Sequence, residues 1–323
     1  MKLSFIGAIA AITTALAPVA ALAEYPERDV RMVVPWGAGG GTDGIVRKVT
    51  TLAEEPLGGT IYVENIEGGN SATGVGQVMS ARPDGYTIGA LTYDSIVTVP
   101  WQGMLPSYQM DKLDLIARIT SEADAIIVDA DSDYQTLDDL IEAAKADPGN
   151  VRVGVQNLGG RVHLTLLQLQ QLTGAEFRIV SYPGGAAPQK EALLSDEVDV
   201  VLTSLGDFAN LIEDGTARGI VEFSDAKNPT YDVPTAEEAG IDLLNGSFIV
   251  LVAPAGTPED VVASLEAAYH KAYDSPEFQD WLATIGVTPN WLAGDELDAW
   301  AEDTAQGLFT QMDGLVEAGV LTK

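Results

Sequence analysis

Short apolar runs alternate with longer stretches of helical periodicity along most of the chain. The runs at 30–35, 61–64, 86–91, 115–128, 151–155, 177–181, 198–202, 220–223 and 248–253 are rich in Val and Ile. Their length and near-continuous hydrophobicity suit buried, mainly parallel strands. Helix starts lie between them. Thr136-Leu-Asp-Asp139 and Thr235-Ala-Glu-Glu238 resemble capping boxes, and Thr257-Pro-Glu-Asp260 sets proline at the first helical position. The last segment differs. Leu297, Trp300, Thr304, Leu308, Gln311 or Met312, and Leu315 recur at helical spacing with no strand after them. They predict a long amphipathic helix laid across the outside of the fold. The alternation predicts α/β layers.

The first 23 residues read as a secretory signal: Lys2, an apolar run from Leu3 to Leu16, and the small-x-small site Ala21-Leu22-Ala23. Thr13, Thr14 and Pro18 interrupt that run, which argues against a membrane anchor of about 20 residues. Cleavage there leaves residues 24–323, long enough for two domains. Cysteine is absent, so stability must come from hydrophobic cores, and the usual lipid attachment point is missing. Both points favour a free periplasmic protein.

Charge narrows the choice of partner. There are 17 basic and 48 acidic residues, and the net charge of −31 is spread along the chain. Nucleic acid needs a basic footprint and is excluded as a partner. A salt-rich habitat, where screening acts over about 8 Å or less, explains the excess of acid best.

The candidate chemistry lies in glycine-rich turns between strands and helices. Trp36-Gly-Ala-Gly39-Gly40-Gly41-Thr42-Asp43 follows the first strand and precedes a helix face marked by Ile45, Val46, Val49 and Ala53. The glycines allow close approach of a ligand, and exposed N–H groups at a helix start suit an anion. A dinucleotide fingerprint fails because Thr42 stands at its last glycine. A nucleotide-phosphate loop fails because Gly41-Thr42-Asp43 has no lysine. A carboxylate site remains, with Asp43 either capping the helix or touching the ligand. Similar turns follow at 68–74, with Ser71, Ala72 and Thr73; at 157–163, with Asn157, Gly159, Gly160, Arg161 and His163; and at 182–185, with Tyr182, Gly184 and Gly185.

Taken in order, these motifs resemble those of the substrate-binding receptors of tripartite tricarboxylate transporters, the Bug/TctC family. The resemblance rests on Tyr25-Pro26, Val33-Val34-Pro35, Gly39–Asp43, Val63-Glu64-Asn65, the turn 68–74 and Arg82-Pro-Asp-Gly-Tyr86. Gly159-Gly160 with His163, Tyr182-Pro-Gly-Gly-Ala186 and the segment 196–199 continue it, so it spans the whole mature chain. It implies a two-lobed type II periplasmic clamshell, with strand crossings near 122–127 and 242–248. Lobe 1 would comprise 24–124 plus 246–323, and lobe 2 would comprise 125–245. The implied role is to hold a small organic carboxylate for integral-membrane transporter subunits, as a soluble monomer without cofactor or metal. First-lobe contacts would come from 39–43 and 71–73, and second-lobe contacts from 157–161, 182–185 and Ser204. Trp36, Tyr93 and Tyr182 would wall the organic part or simply pack. Arg161, Val162, Trp36 and Pro183 depart from the family pattern. Arg161 would either pair with a second acidic group of the ligand or serve as a surface or Asp-paired arginine.

The rival function is an α/β enzyme acting on a small acid. Only His163 and His270 could act as imidazole bases, and no Gly-x-Ser-x-Gly elbow or His-Glu-x-x-His pair occurs. A hydrogen-bonding role for His163 is the expectation.

Overall fold

The computed structural model describes residues 25–183, 185–224, 227–228 and 230–321. The expectations for 1–23 and for Gly184 lie outside the described residues.

The chain begins with β1 (Val30–Val34), α1 (Gly41–Leu57), β2 (Ile61–Asn65), α2 (Ala72–Met79) and β3 (Thr87–Leu91). A π-helical turn (Asp94–Thr98) then leads through the short α3 (Val99–Trp101) to the 17-residue β4 (Leu113–Asp129). Next come α4 (Leu137–Ala146), β5 (Arg152–Val155), α5 (Arg161–Thr173), β6 (Arg178–Ser181), α6 (Ala186–Leu194), β7 (Val200–Ser204), α7 (Ala209–Glu213) and β8 (Ala217–Glu222). The chain returns through β9 (Gly246–Pro254) to α8 (Glu259–Tyr273), α9 (Pro276–Thr284), β10 (Thr288–Leu292) and α10 (Gly294–Glu317).

The strands run in the order β2-β1-β3-β9-β4-β7-β5-β6, with β8 and β10 also paired to β4. β4 joins the two halves. It pairs with β9 as far as Ala123 and with β7 and β8 from Asp124 onward. At that switch Gly246 lies against the β4 backbone, where an added Cβ would stand 2.3 Å from the Glu122 carbonyl oxygen. No larger residue fits. The expectation of mainly parallel sheets is refined here. β1 pairs parallel with β2 and β3, and β5 pairs parallel with β6 and β7. Every pair that includes β4 or β9 is antiparallel. Each strand that leaves one half must be met by another coming back, so the seam between halves runs antiparallel.

Each half has its own core. Val30, Met32, Ile45, Val49, Leu265, Tyr269 and Phe278 pack α1, α8 and α9 on the first half. Ile126, Leu140, Val153, Leu166, Val200 and Leu202 do the same for the second. Each such side chain contributes about 1.5–3 kcal/mol on burial. α10 buries Leu297, Ala301, Met312 and Leu315, and Trp300 meets Phe248 edge-on at 4.8 Å. The amphipathic stripe read from sequence is therefore used for packing.

Two local expectations differ. β10 carries Pro289 and Asn290, both poor strand formers, and forms only because it can edge against β4. Thr235 and Glu238 exchange the two capping-box hydrogen bonds at 3.1 and 3.2 Å, but a turn follows rather than a helix.

Candidate ligand-binding site

The first glycine turn connects β1 to α1. Gly39 adopts a φ of 82°, open to glycine and costly for other residues. Asp43 fixes the loop from inside. Its carboxylate accepts from the Gly39 N–H at 2.9 Å, Arg47 at 2.6 Å and Asn65 at 2.9 Å. Burial works to raise the Asp43 pKa, but these donors outweigh it and hold the group below the usual carboxylate range. Asp43 and Gly39 do not line the cavity described below; in this structure they shape the turn. Asp43 does not cap α1 either, because the capping position is Gly40 and no side chain bonds there.

The corresponding turn before α5 is fixed in another way. The Gly159 N–H donates to His163 Nδ1 at 2.8 Å, and the Gly159 carbonyl accepts from Gln102 at 2.9 Å. Burial lowers the His163 pKa, which favours the neutral ring that this acceptor role requires. His163, expected among the ligand contacts and as a hydrogen-bonding residue, accepts the Gly159 N–H here and does not line the cavity described below. Arg161 is only 6% exposed and forms an ion pair with Asp124, which is fully buried. That rules out the solvated-surface reading of Arg161.

The turns meet at one cavity. Trp36, Gly40, Gly41 and Thr42 line it from the first half, and Arg161, Gly185 and Ser204 from the second. These are the sequence-read residues that come together. The cavity is narrow, about 50 Å³, which is room for a few waters at about 10–15 Å³ each. Beside it, and sharing Trp36, lies an outer chamber of about 310 Å³ lined by Ser71, Asn157, Pro183 and the turn 67–70. Trp36 is held in place by an indole hydrogen bond of 3.0 Å to Thr92.

Other expected contacts lie elsewhere. Ala72 and Thr73 donate their N–H groups to Gly69 and Gly68 and close their own turn. Tyr93 is 2% exposed and packs against Phe248; it also borders a chamber of about 680 Å³ that shares Glu122 and Ser247 with the inner cavity. Tyr182 lies against the second-half core. Gly160 contacts Asp94 without lining the cavity: its added Cβ would stand 3.1 Å from Asp94 Oδ1. Neither tyrosine lines the inner cavity.

Sequence reasoning missed the acids. Asp94, Glu122 and Asp207 also line the cavity, with Thr92, Gln156 and Ser247. Asp207, from the second half, accepts the Gly41 N–H of the first half at 3.3 Å; it also accepts from Thr203 at 2.5 Å and Gln156 at 3.2 Å. Asp94, from the first half, accepts the Arg161 N–H of the second at 3.1 Å. Each half therefore supplies a carboxylate to the helix start of the other, as the helix dipole favours. The expectation of wholly unpaired amides is corrected accordingly: Gly41 and Arg161 are occupied. The Thr42 N–H has no partner among the described residues. Among 48 acidic residues no local motif marks these three.

The family model for the tripartite tricarboxylate transporter family receptor matches residues 45–308. The chain belongs to that family. A similar curated protein is the UPF0065 protein in the gbd 5'region of Cupriavidus necator, 29% identical over 301 residues, covering 93% of this receptor and 91% of the relative. Among solved structures, the periplasmic binding protein BugD superposes with a TM-score of 0.83 at 27% identity, covering 93% of this chain and all of that one. The R. palustris protein Rpa4515, solved with adipate, gives 0.79 at 25% identity, covering 91% and 96%. The receptor has the two-lobed α/β periplasmic binding fold.

Proposed function

We propose that this chain is an exported solute receptor that captures a small carboxylate-bearing organic molecule between its lobes and delivers it to membrane transporter subunits. One observation carries the reading: helix starts remote in sequence, Gly41-Thr42 of α1 and Arg161 of α5, converge with Gly185 on one polar cavity. Lobe 1 comprises 24–124 plus 246–323 and lobe 2 comprises 125–245, hinged where β4 changes partners. Residues 1–23 direct export, and the receptor acts as a monomer. The adipate in the related protein supports a carboxylate ligand.

Energetics support the assignment. Charge-assisted hydrogen bonds contribute about 1.5–3 kcal/mol each and a helix terminus about 0.3–1. A micromolar complex needs about 8 kcal/mol net of ordering costs, so several such terms are required and the solute must displace Asp207 or Asp94 from a helix start to make them. The inner cavity alone is smaller than the roughly 300–1,000 Å³ of ordinary ligand sites, but the chambers beside it, of about 310 and 680 Å³, share Trp36, Glu122 and Ser247 with it; the lobes part to admit the solute and close over it.

An enzymatic role finds little support, because His163 is committed to the Gly159 amide. Native mass spectrometry of the purified protein, followed by a calorimetric screen of organic acids, tests the proposal. One-to-one binding with release of unchanged solute is expected. Chemical conversion of the solute, or indifference to every acid, would overturn it.

A further inference from the structure

The ribbon formed by β4 and β9 has two faces, and the solute cleft uses one of them. Glu122 and Ser247 are cross-strand partners, and both line the inner cavity. Side chains alternate along a strand, so the next pair, Ser121 and Phe248, faces the other way. Thr288 of β10 pairs with Ser121 from the far edge of β4 and shares that second face. Against it lies a chamber of about 680 Å³, well within the roughly 300–1,000 Å³ of ordinary ligand sites. The ribbon is the wall between chamber and cleft.

Helix α10 covers the chamber. Trp300, Thr304 and Leu308 stand one turn apart and line it. Leu297, Ala301, Met312 and Leu315 of the same helix are buried, but these three are only half-buried, because the space beneath them is open. Three rings bound that space. Trp300 meets Phe248 edge-on at 4.8 Å, and Tyr93 stands 6.3 Å from Phe248. Leu244, 56% exposed, adds apolar surface. Ring faces and edges without a neighbour attract a further aromatic group.

The polar groups narrow the chemistry. Among the described residues, the one basic side chain that lines the chamber is Lys227, paired with Glu238 at 3.1 Å. The Glu222 carboxylate accepts from Asn228 at 3.2 Å and Ser224 at 3.4 Å, and Glu122 bonds to Ser204 on the cleft side. No charge there waits for a partner. The hydroxyls of Ser121, Thr288 and Thr304, by contrast, make no hydrogen bond to a described residue. A hydroxyl donates or accepts without carrying charge.

We propose that the chamber behind the ribbon is a second binding site, separate from the solute cleft, for an uncharged aromatic molecule of one or two rings bearing a hydroxyl group. Its rings lie among Tyr93, Phe248 and Trp300, and its hydroxyl bonds to Ser121, Thr288 or Thr304. The walls come from both halves of the molecule, Phe223 from the second and Trp300 from the first, so the occupant bridges the hinge.

Naphthol, titrated calorimetrically into the wild-type protein, is the probe, with naphthalenesulfonate as its charged counterpart. One-to-one binding of naphthol is expected, at least tenfold tighter than that of the sulfonate. Thr304→Trp, which fills the space, should weaken naphthol tenfold or more, and Leu308→Glu, at a half-buried position, should do the same. Gly41→Ala, in the cleft, should leave naphthol affinity within threefold of wild type. Absence of saturable binding to wild type, or equal affinity for the sulfonate, would overturn the proposal. So would loss of naphthol binding in Gly41→Ala with retention in Thr304→Trp and Leu308→Glu, which would put the probe in the cleft. The comparison of the two probes needs no variant, so a substitution that fails to fold does not rescue the idea. None of these outcomes bears on the receptor role.

Discussion

Breaking the Arg161–Asp124 pair tests whether the floor of the cleft is an ion pair out of reach of water. Asp124 is fully buried, its Oδ2 accepts from the Thr165 hydroxyl at 2.5 Å, and Asn245 holds that hydroxyl at 2.7 Å. Replacing Arg161 with methionine leaves a charge that one hydroxyl cannot satisfy. Removing one partner of a buried pair costs about 3–5 kcal/mol. In a chain of this size that should lower the thermal midpoint by about 6–10 °C. Replacing both partners, Arg161→Met with Asp124→Leu, removes the stranded charge and should recover most of the loss, since an apolar substitute for a buried pair is often nearly neutral. The assay is thermal unfolding of wild type, both single variants and the double, read as a double-mutant cycle. A single Arg161→Met variant melting within 2 °C of wild type, or a double variant worse than both singles, would refute the argument.

Three other outcomes follow from the geometry. Burial, and then the neighbouring Asp207, push the native Glu122 carboxyl up from 4.5 to about 7, so the folded state binds more protons between those values. Stability should fall as pH rises through that window and level off above it, by at most about 3 kcal/mol, and thermal melts of Glu122→Gln from pH 4 to 8 should lack that component of the slope. Gly246→Ala would drive a methyl group to 2.3 Å from the Glu122 carbonyl oxygen; the loss should be about 2 kcal/mol or more in urea unfolding, and wild-type stability would disprove the crowding. Gly41→Ala would place its Cβ 2.6 Å from Asp207 Oδ1, so ligand affinity should drop about tenfold with little change in midpoint; unchanged affinity would show that the Gly41–Asp207 contact is not made in the bound state.

The sequence exposed what local chemistry governs. Val and Ile runs marked β1 to β9 because a doubly covered strand must be apolar along its length. The stripe from Leu297 to Leu315 marked α10 because a packed helix repeats every 3.6 residues. The turns at Gly39–Thr42 and Arg161 were legible because a chain entering a helix at close quarters needs glycine. Hidden were the features made by long-range meetings. Asp207 reaches Gly41 across 166 positions, and Asp94 reaches Arg161 across 67. Neither acid sits in a pattern that separates it from a solvated one. Tyr93 and Tyr182 were ambiguous for the same reason: an aromatic next to a turn fits a wall and a core equally well until its neighbours are known.

The acids of the cleft also matter for a receptor with a net charge of −31. Between surfaces bathed in salt, that charge is screened beyond about 8 Å and acts as a weak, diffuse repulsion between the lobes. Opposing it are the contacts across the cleft: Asp207 on α1, Asp94 on α5 and Gln102 on Gly159. Two of these are charge-assisted and act at about 3 Å, where screening by mobile ions has little room to operate. Closure is therefore favoured by short-range bonds and opposed by long-range charge, and salt weakens only the opposing term. A solute that enters must compete with the receptor's own carboxylates, Asp207 and Asp94, for the helix starts.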